Sequence, residues 1–321
     1  MLNLVVPVVL LVLGAVLLTV GAEAFAEHVT AAASNLGVSV LALGVLLAGA
    51  EPEEAVTAML ASGQGHPALA AGDAIGANLV ILTLTLGLAA LFTRLPVGRR
   101  VMQYALAAAV AGALTVLFLW NGVMSRLEGC LLVLAYVAGV VWVWRREKEP
   151  PMIGELAELS DPALPNENAD DHDQPSRALL LVLLGVFGMV VGGFLAVRGA
   201  GGLVDVLNVR ESVIGLTVLA LATSAEMIAL VWAAHRRGVS EVVVAGAVGA
   251  VAYNATVSVG LGALVSPLAI GTGSSVTTVA SVTAVLPLLL FAGRLTGRFP
   301  RTLGLVLVAV YFLCVGWLFW Y

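Results

Sequence analysis

Long apolar runs, separated by glycine, proline and small clusters of charge, recur along the whole chain. A bilayer core takes about 20 mostly apolar residues per helical span. On that measure the pattern predicts ten membrane helices, over 4–24, 36–61, 68–92, 99–119, 126–144, 178–197, 213–234, 241–266, 274–293 and 302–320. The first run has no positive leader segment and no cleavage site after it, so it reads as the first span. One long polar stretch, 145–177, holds Pro150-Pro151 and then Glu155, Glu158, Asp161, Glu167, Asp170, Asp171 and Asp173. With little to bury, it reads as a solvated acidic linker, and it lacks the spaced ligands and central glycine of an EF-hand loop. The expected organisation is all-α integral membrane: a first five-helix unit 1–144, the linker 145–177 and a second five-helix unit 178–321.

The two units are repeats. Sliding the chain by 173 residues superposes Asn35 on Asn208, Ser39 on Ser212, Glu53 on Glu226, Gly76 on Gly249 and Gly87 on Gly260, with 16 identities in the 56 positions 35–90. Five spans per unit is an odd number, so the second unit enters the bilayer from the opposite side. Such inverted repeats build many secondary transporters, with the substrate site at the midplane where the repeats meet. Cytoplasmic loops carry the excess of Lys and Arg. Here Arg94, Arg99, Arg100, Arg145, Arg146, Lys148, Arg177, Arg236, Arg237, Arg294, Arg298 and Arg301 fall on one side, against Arg126, Arg198 and Arg210 on the other. Both termini are therefore expected outside and the linker in the cytoplasm, with a prokaryotic plasma membrane as the setting.

Composition removes other classes. Of 321 residues 60% are apolar and 11% charged, which excludes an ordinary soluble domain. A net charge of −5 without a basic arm leaves no footprint for nucleic acid. Cys130 and Cys314 lie far apart in separate spans and suit neither a disulfide framework nor a thiolate metal site. His28, His66, His172 and His235 fall at helix ends or in loops, and neither a His–Glu metal motif nor an activated nucleophile appears, so an enzyme has no support.

Against this apolar background the second span carries Gly49-Ala-Glu51-Pro52-Glu53-Glu54. Three charged carboxylates facing lipid would cost on the order of 8–10 kcal/mol, so they must face a polar interior. Pro52 and Gly49 should break the helix there and expose carbonyl oxygens, which suit a hard cation. The repeat mate, Ala222-Thr223-Ser224-Ala225-Glu226-Met227, places Glu226 where Glu53 stands and adds two hydroxyls. Two converging carboxylates can bind a divalent cation or take up protons when it leaves. The third span, with Gly72-Asp73-Ala-Ile-Gly76-Ala77-Asn78, and the eighth, ending in Tyr253-Asn254, supply further polar groups. Asp73 is expected near the external entrance, because its span begins only a few residues earlier. Thr83 with Thr256, and Thr85 with Ser258, are paired hydroxyls expected to bond their own helices.

These residues resemble the Ca2+/cation antiporter superfamily, the sodium/calcium and proton/calcium exchangers, over nearly the whole chain. Sodium/calcium members carry G-T-S-L-P-E followed by G-N-x-x-G-S-N-x-x-N in each half. Glu54 matches the first glutamate, and Thr223 with Ser224 matches the Thr-Ser pair. Met227 stands where the second glutamate would be, Ala77 and Ala250 replace both serines, and Ile81 replaces a ligand amide that Asn254 matches in the other half. Shifted by one residue, Glu53 and Glu226 resemble the G-N-A-x-E signature of proton/calcium exchangers. The resemblance implies an antiporter for Ca2+ or a related divalent cation, with Na+ or H+ as counter-ion and no cofactor. The missing oxygens favour H+ by a small margin. The implied ligand set is Glu53, Glu54, Glu226, Glu51, Thr223, Ser224, Asn78, Asn254 and Asp73, with the first and sixth helices as gates. The competing reading is a non-transporting sensor or assembly protein on the same fold. Partners beyond the ions and the lipid bilayer, and the oligomeric state, are not encoded in any motif.

Overall fold

The structure is a computed structural model, and it describes residues 2–35, 51–92, 95, 97–147, 175–228, 240–293 and 297–320. Among the described residues are ten helices, with a further helical stretch over 225–228. They are α1 (Leu2–Asn35), α2 (Pro52–Gly63), α3 (Pro67–Phe92), α4 (Arg99–Leu119), α5 (Arg126–Glu147), α6 (Pro175–Leu207) and α7 (Glu211–Thr223). After them come α8 (Ser240–Tyr253, carried on through Asn254–Ser258 and Val259–Val265), α9 (Ser275–Val285, tightening to a 3-10 helix over Leu286–Gly293) and α10 (Arg301–Trp320). Eight of them are long and apolar enough to cross a membrane; α2 and α7 are shorter. Residues 36–50 and 229–239, needed for the rest of the second and seventh predicted spans, lie outside the described residues, as does most of the linker.

The central helices α3 and α8 are buried on nearly every side, whereas α1, α5, α6 and α10 turn long apolar faces outward. Outward leucine and valine are at home in lipid. α1 and α6 run well past the expected ends at 24 and 197, because they pack antiparallel on each other along their length. Glycines permit that approach. A Cβ on Gly14 would stand 2.4 Å from the backbone nitrogen of Ala196, and one on Gly185 would stand 2.7 Å from the carbonyl oxygen of Gly21.

Two elements were absent from the sequence reading. The first is π-helical winding at Val80–Thr85 in α3, Gly215–Leu219 in α7 and Asn254–Ser258 in α8. The first and third coincide under the 173-residue shift, and such turns frequently mark functional sites. The second is a pair of small loop straps at opposite ends of α4. Strand β1 (Val123–Met124) pairs antiparallel with β2 (Leu268–Ala269). At the other end Val97 donates to Gly297 and Phe299 to Leu95, each at 3.0 Å. The shift carries one strap to within two residues of the other. It also carries the packing of Gly87 on Gly304 close to that of Gly260 on Gly129.

Candidate functional site

At Glu51-Pro52 the chain starts a helix. Proline lacks an N–H and has a fixed φ, so it fits the first helical position, where that N–H would have no partner. Glu51 is accordingly the N-cap of α2, with Pro52 opening the helix and Glu53 and Glu54 in its first turn, where the helix dipole favours negative charge. The break in α7 comes at Ser224, 173 residues from Glu51, with helical winding resuming at Ala225. The two interruptions occupy equivalent positions of the two halves, and their side chains meet.

All three acids of α2 are buried, and they face groups from the second half. Asn254 Nδ2 donates to Glu51 Oε2 at 2.8 Å. Ser224 Oγ donates to Glu54 Oε1 at 3.2 Å. Glu226, half-buried, lies near enough to Glu51 and Glu53 for their charges to interact. Asp73 is fully buried and accepts from Thr223 Oγ1 at 3.3 Å, beside Glu54. This corrects its expected place near the external entrance: the α3 residues on either side of it pack against α7, with a Cβ on Gly72 standing 3.2 Å from Gly215 and one on Gly76 2.7 Å from the backbone of Leu216. Asn78 bridges the two halves: its amide nitrogen donates at 3.2 Å to the carbonyl of Val251, its own repeat mate, and its Oδ1 is buried without a hydrogen-bond partner in the protein.

Four carboxyl oxygens in this cluster, Glu51 Oε1, Glu53 Oε2, Glu54 Oε2 and Asp73 Oδ2, are buried and make no hydrogen bond within the protein. Buried polar atoms nearly always have a partner, so these oxygens are available to a ligand that brings positive charge. The donors are all oxygen, which selects hard cations over zinc-like ones. Among the described residues no three Asp, Glu, His or Cys side chains stand close enough together to grip one ion. A cation here would be shared between one or two carboxylates and the neutral oxygens of hydroxyls, amides and broken helix ends.

The positions that depart from the exchanger motif also have a place. Ile81, Ala250 and Met227 fall in one apolar cluster with Leu82 and Val251. Three substitutions that look scattered in the sequence thus belong to one apolar cluster. The paired hydroxyls divide: Thr83 and Thr256 bond the equivalent carbonyls Leu79 and Ala252, as expected, whereas Ser258 instead donates to Asn254 Oδ1 at 3.1 Å and orients the amide that reaches Glu51. Sequence reasoning treated Ser258 as a helix-bonding hydroxyl; its spacing of four from Asn254 was the available signal.

The chain matches the sodium/calcium exchanger protein family over residues 6–145 and 177–320, leaving out only the linker and the extreme ends. An uncharacterised membrane protein of Methanocaldococcus jannaschii is 24% identical over 317 residues, 96% of this chain and 94% of that protein. The inner membrane protein YrbG of Escherichia coli is 27% identical over 273 residues, 80% and 79% of the two chains. Among solved structures, the sodium-calcium exchanger NCX_Mj soaked with Na+ and Sr2+ superposes with a TM-score of 0.61 at 21% identity, covering 98% of each chain. Fold, membrane spans and family match agree: the chain belongs to the sodium/calcium exchanger family, integral membrane proteins that are secondary transporters rather than enzymes.

Proposed function

We propose that the protein is a secondary active antiporter that moves Ca2+, or a related divalent cation, against H+ or Na+, with H+ the favoured counter-ion. One observation carries this reading: the helix breaks at Glu51 and Ser224 face each other and bury carboxyl oxygens without protein partners among hydroxyls of the opposite half. Glu53 and Glu226 hold the cation, with Glu51, Glu54 and Asp73 as further ligands or proton carriers and Thr223, Ser224, Asn254 and the unpartnered Oδ1 of Asn78 as neutral oxygens. The same oxygens serve competing cations in turn, which is what exchange requires.

The architecture that goes with this function is ten spans in two inverted halves, 1–144 and 178–321, joined by a cytoplasmic linker 145–177. The repeated straps and the coincident π-turns support it. α1 and α6, which approach each other closely through glycine, suit the part of gates that slide past the site. The apolar Ile81, Ala250 and Met227 support protons over Na+, because they lack the oxygens that the exchanger motif carries at those positions while the carboxyls that a proton needs remain.

The test is 45Ca2+ uptake into proteoliposomes under a pH gradient in one set and a Na+ gradient in another, with Glu226→Gln and Glu54→Gln as controls. Uptake driven by the pH gradient and reduced at least about tenfold in each variant is expected. Sodium-driven uptake would reverse the counter-ion assignment. Full activity of Glu226→Gln would refute its role. A folded protein inert under both gradients would favour the non-transporting reading.

A further inference from the structure

A groove of about 520 Å3 opens on the lipid-facing side of the bundle between α4, α5 and α8. Gln103 and Trp142 stand at one end and Leu114 at the other, with Gly139 on one wall and Ala252 on the floor. Leu106, Val110 and Trp142 on its rim are exposed, so the groove is continuous with the surrounding hydrocarbon. From Gln103 to Leu114 α4 advances about 16 Å at 1.5 Å per residue, and one leaflet of a ~30 Å hydrocarbon core is about that deep. The length of the groove is that of one leaflet. Charge marks the same end as the polar mouth. α4 begins there with Arg99 and Arg100, and α5 ends there with Arg145, Arg146 and Glu147, so that four basic residues stand against one acid among the described residues of these two helix ends. An anionic headgroup is attracted by about 1 kcal/mol per nearby Arg or Lys.

We propose that this groove is a specific site for one acyl chain of an anionic phospholipid from the arginine-bearing leaflet, with the phosphate held at the mouth. The site does not depend on the ion that the protein carries. Its deep wall is nevertheless tied to the acidic cluster. Tyr136, which lines the groove, packs edge-to-face on Tyr253 with ring centroids 5.6 Å apart, and Tyr253 precedes the Asn254 that donates to Glu51. An acyl chain in the groove therefore packs against Tyr136, whose ring partner Tyr253 adjoins Asn254 in α8.

The test uses native mass spectrometry of the delipidated full chain titrated with phosphatidylglycerol or phosphatidylcholine of matched chains. The first phosphatidylglycerol should bind about tenfold more tightly than phosphatidylcholine. A Cβ on Gly139 would meet nothing within 4 Å, so Gly139→Phe projects into the groove without backbone strain and should abolish the preference. Ala107→Phe, from the opposite wall, should do the same; the unfolding temperature of each variant before lipid addition reports its folding. Equal affinities for the two lipids would overturn the proposal. So would a preference untouched in both folded variants, or a change of oligomeric state in the variants, which would make the groove an interface with a second copy.

Discussion

Thr85 and Ser258 hold the same position in the two halves, and one neighbour separates their fates. Ser258 donates to Asn254 Oδ1 at 3.1 Å, whereas the residue four before Thr85 is Ile81, which offers no side-chain oxygen, and Thr85 Oγ1 is buried without a partner. A satisfied buried hydrogen bond contributes about 1 kcal/mol, and an orphaned polar group costs about 1–3 kcal/mol. Thr85→Val should therefore leave the detergent-solubilised unfolding temperature unchanged or raise it. Ser258→Ala should lower it, and should slow uptake as well by freeing the Asn254 amide. A lowered temperature in Thr85→Val would mean that its hydroxyl is used in the native state. The same contrast bears on the acids. Glu51 and Glu54 each have one oxygen engaged by a donor from the other half and one left over, so substitution to Gln keeps their shape and removes the charge that a cation needs.

Helix breaks and helix contacts have different sensitivities. In α2 the break is made by Pro52 at the first helical position, a local device. The contact of α1 with α6 is made by glycine backbone, and nothing there can move aside: a Cβ on Gly192 would stand 2.6 Å from the backbone nitrogen of Leu18. Overpacking of that kind costs about 1–3 kcal/mol. Gly192→Leu should destabilise the protein by that amount and abolish uptake, whereas an equally large addition at Gly139 should not destabilise it. Unfolding curves and uptake measured on both variants check the difference. Normal uptake in Gly192→Leu would remove α1 and α6 from the gating mechanism.

For the molecule as a whole, the two loop straps lie at opposite ends of α4, and this makes the topology testable. In a background with Cys130 and Cys314 replaced by alanine, Thr272→Cys should react with a membrane-impermeant maleimide on intact cells, and Arg301→Cys only after permeabilisation. Both positions are exposed. Reaction of both from the same side would rule out the inverted arrangement. The apolar spans that the structure describes, the internal sequence repeat, the distribution of arginine and the break at Glu51-Pro52 were legible in the chain, because each depends on local composition or on a fixed spacing; the break at Ser224, which no proline or glycine marks, was not. Membership in the exchanger family was legible for the same reason. Tertiary structure alone decided that Asp73 meets Thr223, that the Asn78 amide reaches Val251, and that Ile81, Ala250 and Met227 share one apolar cluster. The two hydrogen-bonded pairs lie 150 and 173 positions apart. They follow from how closely glycine-bearing helices approach, a property of packed surfaces that hydropathy along a single helix does not contain.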